Sequence, residues 1–131
     1  MSDTPKILIA DDEQESIDFV RESLADTDCE IISAMDGDEA LEAAREQNPQ
    51  LIILDVQMPK RDGFEVFSAL LADEKLRDVP VIMLTGITEK TGYKFDQEQM
   101  GEFMGREPEA YIDKPIEPVI LKQTVKRLLR R

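Results

Sequence analysis

One short run, Leu51–Asp55, constrains the fold of this chain more than any other stretch. Four apolar residues in a row end in a carboxylate, and Pro49 and Pro59 bound the stretch. A continuous apolar run of this length is typical of a strand that is buried on both faces. Open α/β sheets bind their ligands at the carboxyl ends of the strands. The position of Asp55 at such an end therefore indicates a functional carboxylate.

Further apolar runs predict that this strand lies in a parallel sheet. They are residues 6–10, 30–34, 81–84 and 110–112. Segments with apolar residues at helical spacing alternate with them, as at 14–26 and in a last helix over 118–130. Asp36 is predicted to cap the second helix, with Glu39 completing a capping box. Strands that alternate with helices form right-handed crossovers, so we predict an α/β fold with a doubly wound, five-stranded parallel sheet.

The crossover between the fourth and fifth strands is predicted to be atypical. Residues 86–110 are a long connection that holds four of the six glycines and three of the seven aromatic residues of the chain. Glycine weakens a helix, so we expect a short or broken helix with much irregular chain. Tyr93, Phe95 and Phe103 either pin this segment to the domain or form a docking surface for a partner.

Composition limits the classes of function that remain. A length of 131 residues favours a single domain, and the net charge of −13 disfavours nucleic acid and anionic membranes as partners. The chain has no histidine, which excludes histidine-assisted nucleophiles and histidine-ligated zinc. Its one cysteine, Cys29, cannot form an internal disulfide, and we interpret it as a small apolar residue. Because no signal peptide or membrane-spanning run is evident, we expect a cytoplasmic protein.

Polar side chains follow four of the five predicted strands. They are Asp11, Asp12, Asp55, Thr85 and Lys114. Each has an ordinary explanation alone: the acidic pair could cap a helix, Thr85 could belong to a turn and Lys114 could be a surface charge. The carboxyl ends of parallel strands meet at one edge, however, and joint placement there is improbable by chance. We therefore expect these groups to form one site.

The charges of this predicted site favour a bound divalent cation. Carboxylates about 5 Å apart repel one another by roughly 3 kcal/mol per pair at an effective dielectric constant near 20. Oxygen ligands without histidine or cysteine suit a hard cation, most simply Mg²⁺. Three carboxylates, one Mg²⁺ and Lys114 sum to zero charge. A neutralised carboxylate beside a lysine and a hydroxyl is suited to handling a phosphoryl group.

Four motifs, taken together and in order, resemble a known family. They are Asp-Asp at 11–12, Leu-Asp-Val-Gln-Met-Pro-Lys-Arg-Asp-Gly at 54–63, Met-Leu-Thr-Gly at 83–86 and Tyr-Ile-Asp-Lys-Pro at 111–115. The chain resembles, over residues 6–131, the CheY-like receiver domain of two-component response regulators. The resemblance implies the (βα)5 flavodoxin-like fold and a single receiver domain over residues 1–131 without an output domain. Such a chain would be a stand-alone regulator or a piece of a longer protein.

The resemblance also implies a role for each matching residue. Asp55 would be the phosphoacceptor, with Thr85 and Lys114 contacting the phosphoryl oxygens. The resemblance also implies the Mg²⁺ ligands, which would be Asp12 and Asp55 directly, Asp11 through water and the backbone carbonyl of Gln57. Tyr111 matches the aromatic switch position, although on a short strand it could simply be a core residue. The bond from Lys114 to Pro115 is similar to one that is often cis in this family.

These roles imply a signalling switch and not a turnover enzyme. The chain would take its phosphoryl group from a sensor histidine kinase or a histidine phosphotransfer protein, then signal to a downstream protein, with homodimerisation on activation possible. Gly86 would leave the site accessible, and the apolar Ile87 would slow hydrolysis of the phosphate. Two alternatives stay open: a phosphohydrolase of the haloacid-dehalogenase type with an aspartyl nucleophile, and a receiver-like binding module that is never phosphorylated.

Overall fold

The computed structural model describes residues 4–86 and 107–129. Within these ranges the chain forms one sheet of five parallel strands in the order β2-β1-β3-β4-β5. The strands are β1 (Lys6–Ala10), β2 (Glu30–Ala34), β3 (Leu51–Asp55), β4 (Val81–Thr85) and β5 (Ala110–Asp113). The helices in the described ranges are α1 (Gln14–Ser23), α2 (Gly37–Gln47), α3 (Gly63–Leu71) and α4 (Pro118–Leu129). The predicted flavodoxin-like α/β fold is confirmed.

The sheet separates two apolar clusters. Side chains of a strand alternate between the faces, so neighbouring strand residues contribute to opposite clusters. Phe67 of α3 and Leu41 of α2 pack on one face with Met83 of β4. Ile17 of α1 and Leu121 of α4 pack on the other. β3 lies at the centre and is buried throughout, which agrees with its four consecutive apolar residues before Asp55.

The strand order places the end of β3 at a topological switch point. From β1 the chain goes outward to β2, and from β3 it goes the other way to β4 and β5. The connections that follow β1 and β3 therefore lead to helices on opposite faces, and a crevice opens between the two strand ends. Asp11 and Asp55 lie at this crevice, Asp11 directly after β1 and Asp55 as the last residue of β3.

The start of α2 differs in one detail from the prediction. Asp36 caps α2 by accepting from the backbone nitrogen of Glu39 at 2.8 Å, but the Glu39 carboxylate accepts from the nitrogen of Met35 instead of Asp36. The predicted capping box is therefore incomplete there. A complete box is found at α3, where Asp62 and Glu65 each accept from the other's backbone nitrogen.

Other boundaries are close to those expected. α1 ends at Ser23 and not at residue 26, because residues 24–26 form a turn in which the nitrogen of Ala25 donates to Glu22 O at 3.2 Å. Cys29 is half-buried against the α1/α4 cluster.

The predictions for Ile87, Tyr93, Phe95 and Phe103, and for most of the 86–110 crossover, fall on residues 87–106, which lie outside the described ranges. Among the described helices, none has the length and apolarity needed to cross a membrane.

Candidate phosphoryl-transfer site

Three carboxylates meet at the crevice between β1 and β3. Asp11, Asp12 and Asp55 each offer an oxygen, and these oxygens lie within 4.8 Å of one another. Asp11 is fully buried and Asp55 is 7% exposed, whereas Asp12 faces solvent. The backbone holds the first of them in place, because the nitrogen of Asp11 donates to Ala34 O at 3.0 Å. This arrangement agrees with the sequence prediction that the three carboxylates lie close together.

Lys114 supplies the cation that faces these carboxylates. Its Nζ lies 3.0 Å from Asp11 Oδ2, 3.4 Å from Asp55 Oδ1 and 3.8 Å from Glu13 Oε1. The backbone nitrogen of Lys114 donates to Thr85 O at 2.7 Å, which continues the pairing of β5 with β4. The Lys114–Pro115 peptide bond is cis, as the resemblance suggested. Glu13, an exposed fourth carboxylate beside the lysine, was missed by the sequence analysis.

The electrostatics of the site disfavour a fully ionised cluster without a metal. Burial, and then the charge of Asp11, raises the pKa of Asp55 to about 6, although Lys114 acts in the opposite direction. Burial alone would lower the pKa of Lys114, but its hydrogen bonds and proximity to Asp11 and Asp55 outweigh burial and raise it. Lys114 therefore stays charged, but its single positive charge does not balance the three carboxylates. The remaining negative charge favours binding of a second cation.

An open cavity of about 850 Å³ gives access to this charged group. Its lining includes Asp12, Glu13, Asp55, Gln57, Gly86 and Lys114. The Gln57 side chain is exposed at the rim. Since carboxylate oxygens and a backbone carbonyl are hard ligands, the donor set fits Mg²⁺ in chemistry and in charge. The ligand roles of Asp11, Asp12, Asp55 and the Gln57 carbonyl stay predictions.

The loop after β3 is held tightly against the end of that strand at Asp55. The nitrogen of Gly63 donates to Val56 O at 2.8 Å, and a Cβ on Gly63 would lie 2.5 Å from Asp55 O. Only glycine permits so close an approach of α3 to the backbone of Asp55. The start of α3 is therefore packed directly against the backbone of Asp55.

Thr85 and Tyr111 lie on the adjacent strands β4 and β5, where the register partner of Thr85 is Asp113 and that of Tyr111 is Met83. Thr85 is 5% exposed, and its hydroxyl donates to Asp113 Oδ1 at 2.8 Å. Tyr111 is half-buried against the α2/α3 cluster, and burial followed by the charge of Glu107 raises its pKa to about 12. The sequence analysis missed Asp113, although the register pairing of Thr85 with Asp113 follows once β4 and β5 are aligned. The roles of Thr85 and Tyr111 in switching stay predictions.

Known proteins resemble this chain in sequence. A family model described as the response regulator receiver domain matches residues 7–126. The alkaline phosphatase synthesis transcriptional regulatory protein PhoP of Bacillus subtilis is 38% identical over 126 residues, which are 96% of this chain and 49% of PhoP. The chain thus spans about half the length of that relative. The polar-differentiation response regulator DivK of Brucella ovis is 35% identical, with 96% of this chain and 97% of DivK covered.

Solved structures resemble it in fold. The chemotaxis response regulator CheY4 of Vibrio cholerae superposes with a TM-score of 0.79 at 32% identity, covering 95% of this chain and 98% of CheY4. A putative response regulator from Chloroflexus aurantiacus gives a TM-score of 0.83 at 27% identity, covering 98% and 99% of the two chains. Together with the family match over residues 7–126, these likenesses show that the chain belongs to the response regulator receiver domains of two-component signalling.

Proposed function

We propose that this chain is a phosphorylation-dependent signalling switch in which Asp55 accepts a phosphoryl group in a Mg²⁺-dependent reaction. The donor is a sensor histidine kinase or a histidine phosphotransfer protein, and the output is contact with a downstream protein. One observation carries the proposal. The nearly buried Asp55 carboxylate opens onto a cavity and has the Lys114 ammonium 3.4 Å from its Oδ1.

The transfer step requires a nucleophile and a way to offset charge. An Asp55 carboxylate oxygen attacks phosphorus in line, and the bond from phosphorus to the donor's nitrogen breaks as the electron pair leaves with the imidazole. Negative charge on the equatorial phosphoryl oxygens is offset by Lys114, which keeps its proton because the pKa of its ammonium is raised. Asp55 reacts in its ionised state, so a cation that offsets the charges of the neighbouring carboxylates favours transfer.

Mg²⁺ fits the acidic group formed by Asp11, Asp12 and Asp55. Bound there, the ion would supply positive charge that neutralises the carboxylates and the phosphoryl oxygens. The chain contributes the rest: Asp11 and Asp55 are held by the ends of β1 and β3, and Lys114 bridges them from β5. Removal of Asp11 or Asp12 is therefore expected to weaken metal binding more than it weakens the fold.

Phosphorylation changes the charge at Asp55 from −1 to about −2 at neutral pH. The added oxygens are acceptors that attract the Lys114 ammonium and the Thr85 hydroxyl. Movement of Thr85 toward Asp55 would vacate space near Tyr111, whose ring is only half-buried. The ring then rotates into that space and changes the outer surface of β5. A downstream protein, or a second copy of this chain, would bind this changed surface.

Intact-mass measurement after incubation with Mg²⁺ and acetyl phosphate tests the proposal. We expect one phosphoryl adduct, which is absent without Mg²⁺ and absent from Asp55→Ala. Asp78→Asn is a suitable control, because Asp78 is an exposed aspartate in the turn before β4. Loss of the adduct in this control as well would mean that its loss from Asp55→Ala does not identify Asp55 as the phosphoacceptor.

Two other outcomes would favour the alternative functions. Rapid release of phosphate from added phosphate esters would indicate an aspartyl phosphohydrolase, although the residue two positions after Asp55 is Gln57 and not a second acid. Absence of any adduct, from acetyl phosphate and from a phosphorylated donor protein, would indicate a binding module that does not accept phosphate.

A further inference from the structure

The Thr85 hydroxyl is already engaged in the unphosphorylated chain. It donates to Asp113 Oδ1 at 2.8 Å, and the two residues are register partners on β4 and β5. A threonine hydroxyl has a single hydrogen to donate. Phosphoryl oxygens and carboxylate oxygens are both acceptors only. The hydroxyl therefore cannot serve Asp113 and a phosphoryl group at the same time.

The alternation of side chains separates this hydrogen bond from the acidic group. Met83 and Tyr111 pack in the α2/α3 cluster, and Thr85 and Asp113 each follow two positions later, on that same face. Ile112 packs in the opposite cluster, so Lys114 follows on the face of α1 and α4 and reaches Asp11 and Asp55 there. The bond to Asp113 thus holds the hydroxyl on the other face of the sheet from Lys114.

We propose that Asp113 is a positioning residue that stabilises the resting state by competing with the phosphoryl group for the Thr85 hydroxyl. This inference rests on the proposed function, since it assumes that Thr85 binds a phosphoryl oxygen. Asp113 is exposed, so its carboxylate is rehydrated when Thr85 leaves, and the competition is moderate in strength. Thr85, by contrast, is buried and needs a partner in either state.

Removal of the competing acceptor should favour the activated arrangement. In Asp113→Ala the hydroxyl is free to turn toward Asp55, and we expect beryllofluoride, a phosphoryl analogue, to bind roughly tenfold more tightly in the presence of Mg²⁺. Fluorine NMR of the bound analogue measures this affinity directly. The affinity for Mg²⁺ alone should stay the same, because Asp113 does not belong to the acidic group around Asp55.

Charge removal by itself could also strengthen anion binding, and two variants separate the explanations. Asp113→Asn loses the charge but keeps an acceptor oxygen, so we expect an affinity close to that of the wild type. In a Thr85→Val background, where no hydroxyl remains, Asp113→Ala should change the affinity little. Equal gains for the Asn and Ala variants, or an undiminished gain in the valine background, would overturn the proposal.

A spectroscopic measurement tests the same idea on the ligand-free variant. The methyl resonance of Thr85 in Asp113→Ala should shift toward its position in the beryllofluoride-bound wild type. A methyl resonance that stays at its wild-type position would contradict the proposal.

If the wild type binds no beryllofluoride and accepts no phosphate, the proposed function itself fails. If the wild type binds and Asp113→Ala binds no more tightly, only the role of Asp113 fails.

Discussion

The Lys114 ammonium lies 3.0 Å from Asp11 Oδ2, although 103 positions separate the two residues in the chain. This contact connects the ends of β1 and β5, which are not neighbours in the sheet. Asp11 is fully buried, so its charge depends on Lys114 for compensation when no metal is bound.

Lys114→Gln should therefore destabilise the metal-free chain. The change leaves Asp11 and Asp55 without their cation, and since the lysine is partly exposed we expect a loss of about 2 kcal/mol in unfolding free energy. Urea unfolding in the presence of a chelator measures this loss. Mg²⁺ should restore stability to the variant more than to the wild type, because it replaces the missing positive charge.

Lys122→Gln is the matched control for that experiment. Lys122 pairs with Asp26 at 2.9 Å on the surface, where solvent screens an ion pair and it contributes little to stability. An equal loss in both lysine variants would contradict the special role of Lys114.

The ionisation of Asp55 should be visible in the pH dependence of stability. Its pKa is about 6 in the folded chain, against 3.8 as the ordinary value, so between these two pH values the folded state holds a proton that the unfolded chain has released. Protonation therefore stabilises the metal-free fold at low pH, and this contribution is lost as the pH rises through about 6.

Asp55→Asn isolates this contribution because the amide does not titrate. At neutral pH without metal we expect the variant to be more stable than the wild type, with the difference shrinking as the pH falls below 6. Denaturant titrations of both proteins across this range provide the measurement. A difference that is independent of pH would refute the assignment of the raised pKa.

Gly63→Ala should disturb the end of β3 at Asp55. A Cβ there would lie 2.5 Å from Asp55 O and 3.0 Å from the Cα of Val56, and both are backbone atoms that cannot rotate away. We expect a loss of about 2 kcal/mol in stability, as for other overpacked sites, together with slower phosphorylation. Ser68→Ala, an exposed position in the same helix, should leave both quantities unchanged.

The capping box of α3 gives a smaller and more local effect. Asp62→Ala removes the acceptor for the nitrogen of Glu65, at 2.9 Å, and should cost about 1 kcal/mol in unfolding free energy. Asp62→Ser keeps a capping oxygen and should recover most of that loss. Thermal unfolding of the two variants distinguishes capping from the charge of Asp62, since serine restores only the former.

Much of this architecture follows from the sequence because the apolar runs are short, continuous and separated by helical spacing. Parallel strands bring their carboxyl ends to one edge, which is why Asp11, Asp55 and Lys114 could be grouped in advance. The pairing of Thr85 with Asp113 could not be predicted, because it depends on the register of β5 against β4. The cap on α2 shows the same limit. The capping-box pattern predicts that the Glu39 carboxylate accepts from the nitrogen of Asp36, whereas it accepts from the nitrogen of Met35.

The position of β5 has a consequence for how a signal can leave the domain. β5 has four residues and, within the described sheet, pairs with β4 alone. An edge strand of this length is held by few backbone hydrogen bonds, so its amide protons should exchange with solvent before those of β1 and β3. Tyr111 and Asp113 lie on this strand, and Lys114 follows it directly. The residues proposed to respond to phosphorylation thus belong to the strand whose displacement disrupts the least of the sheet.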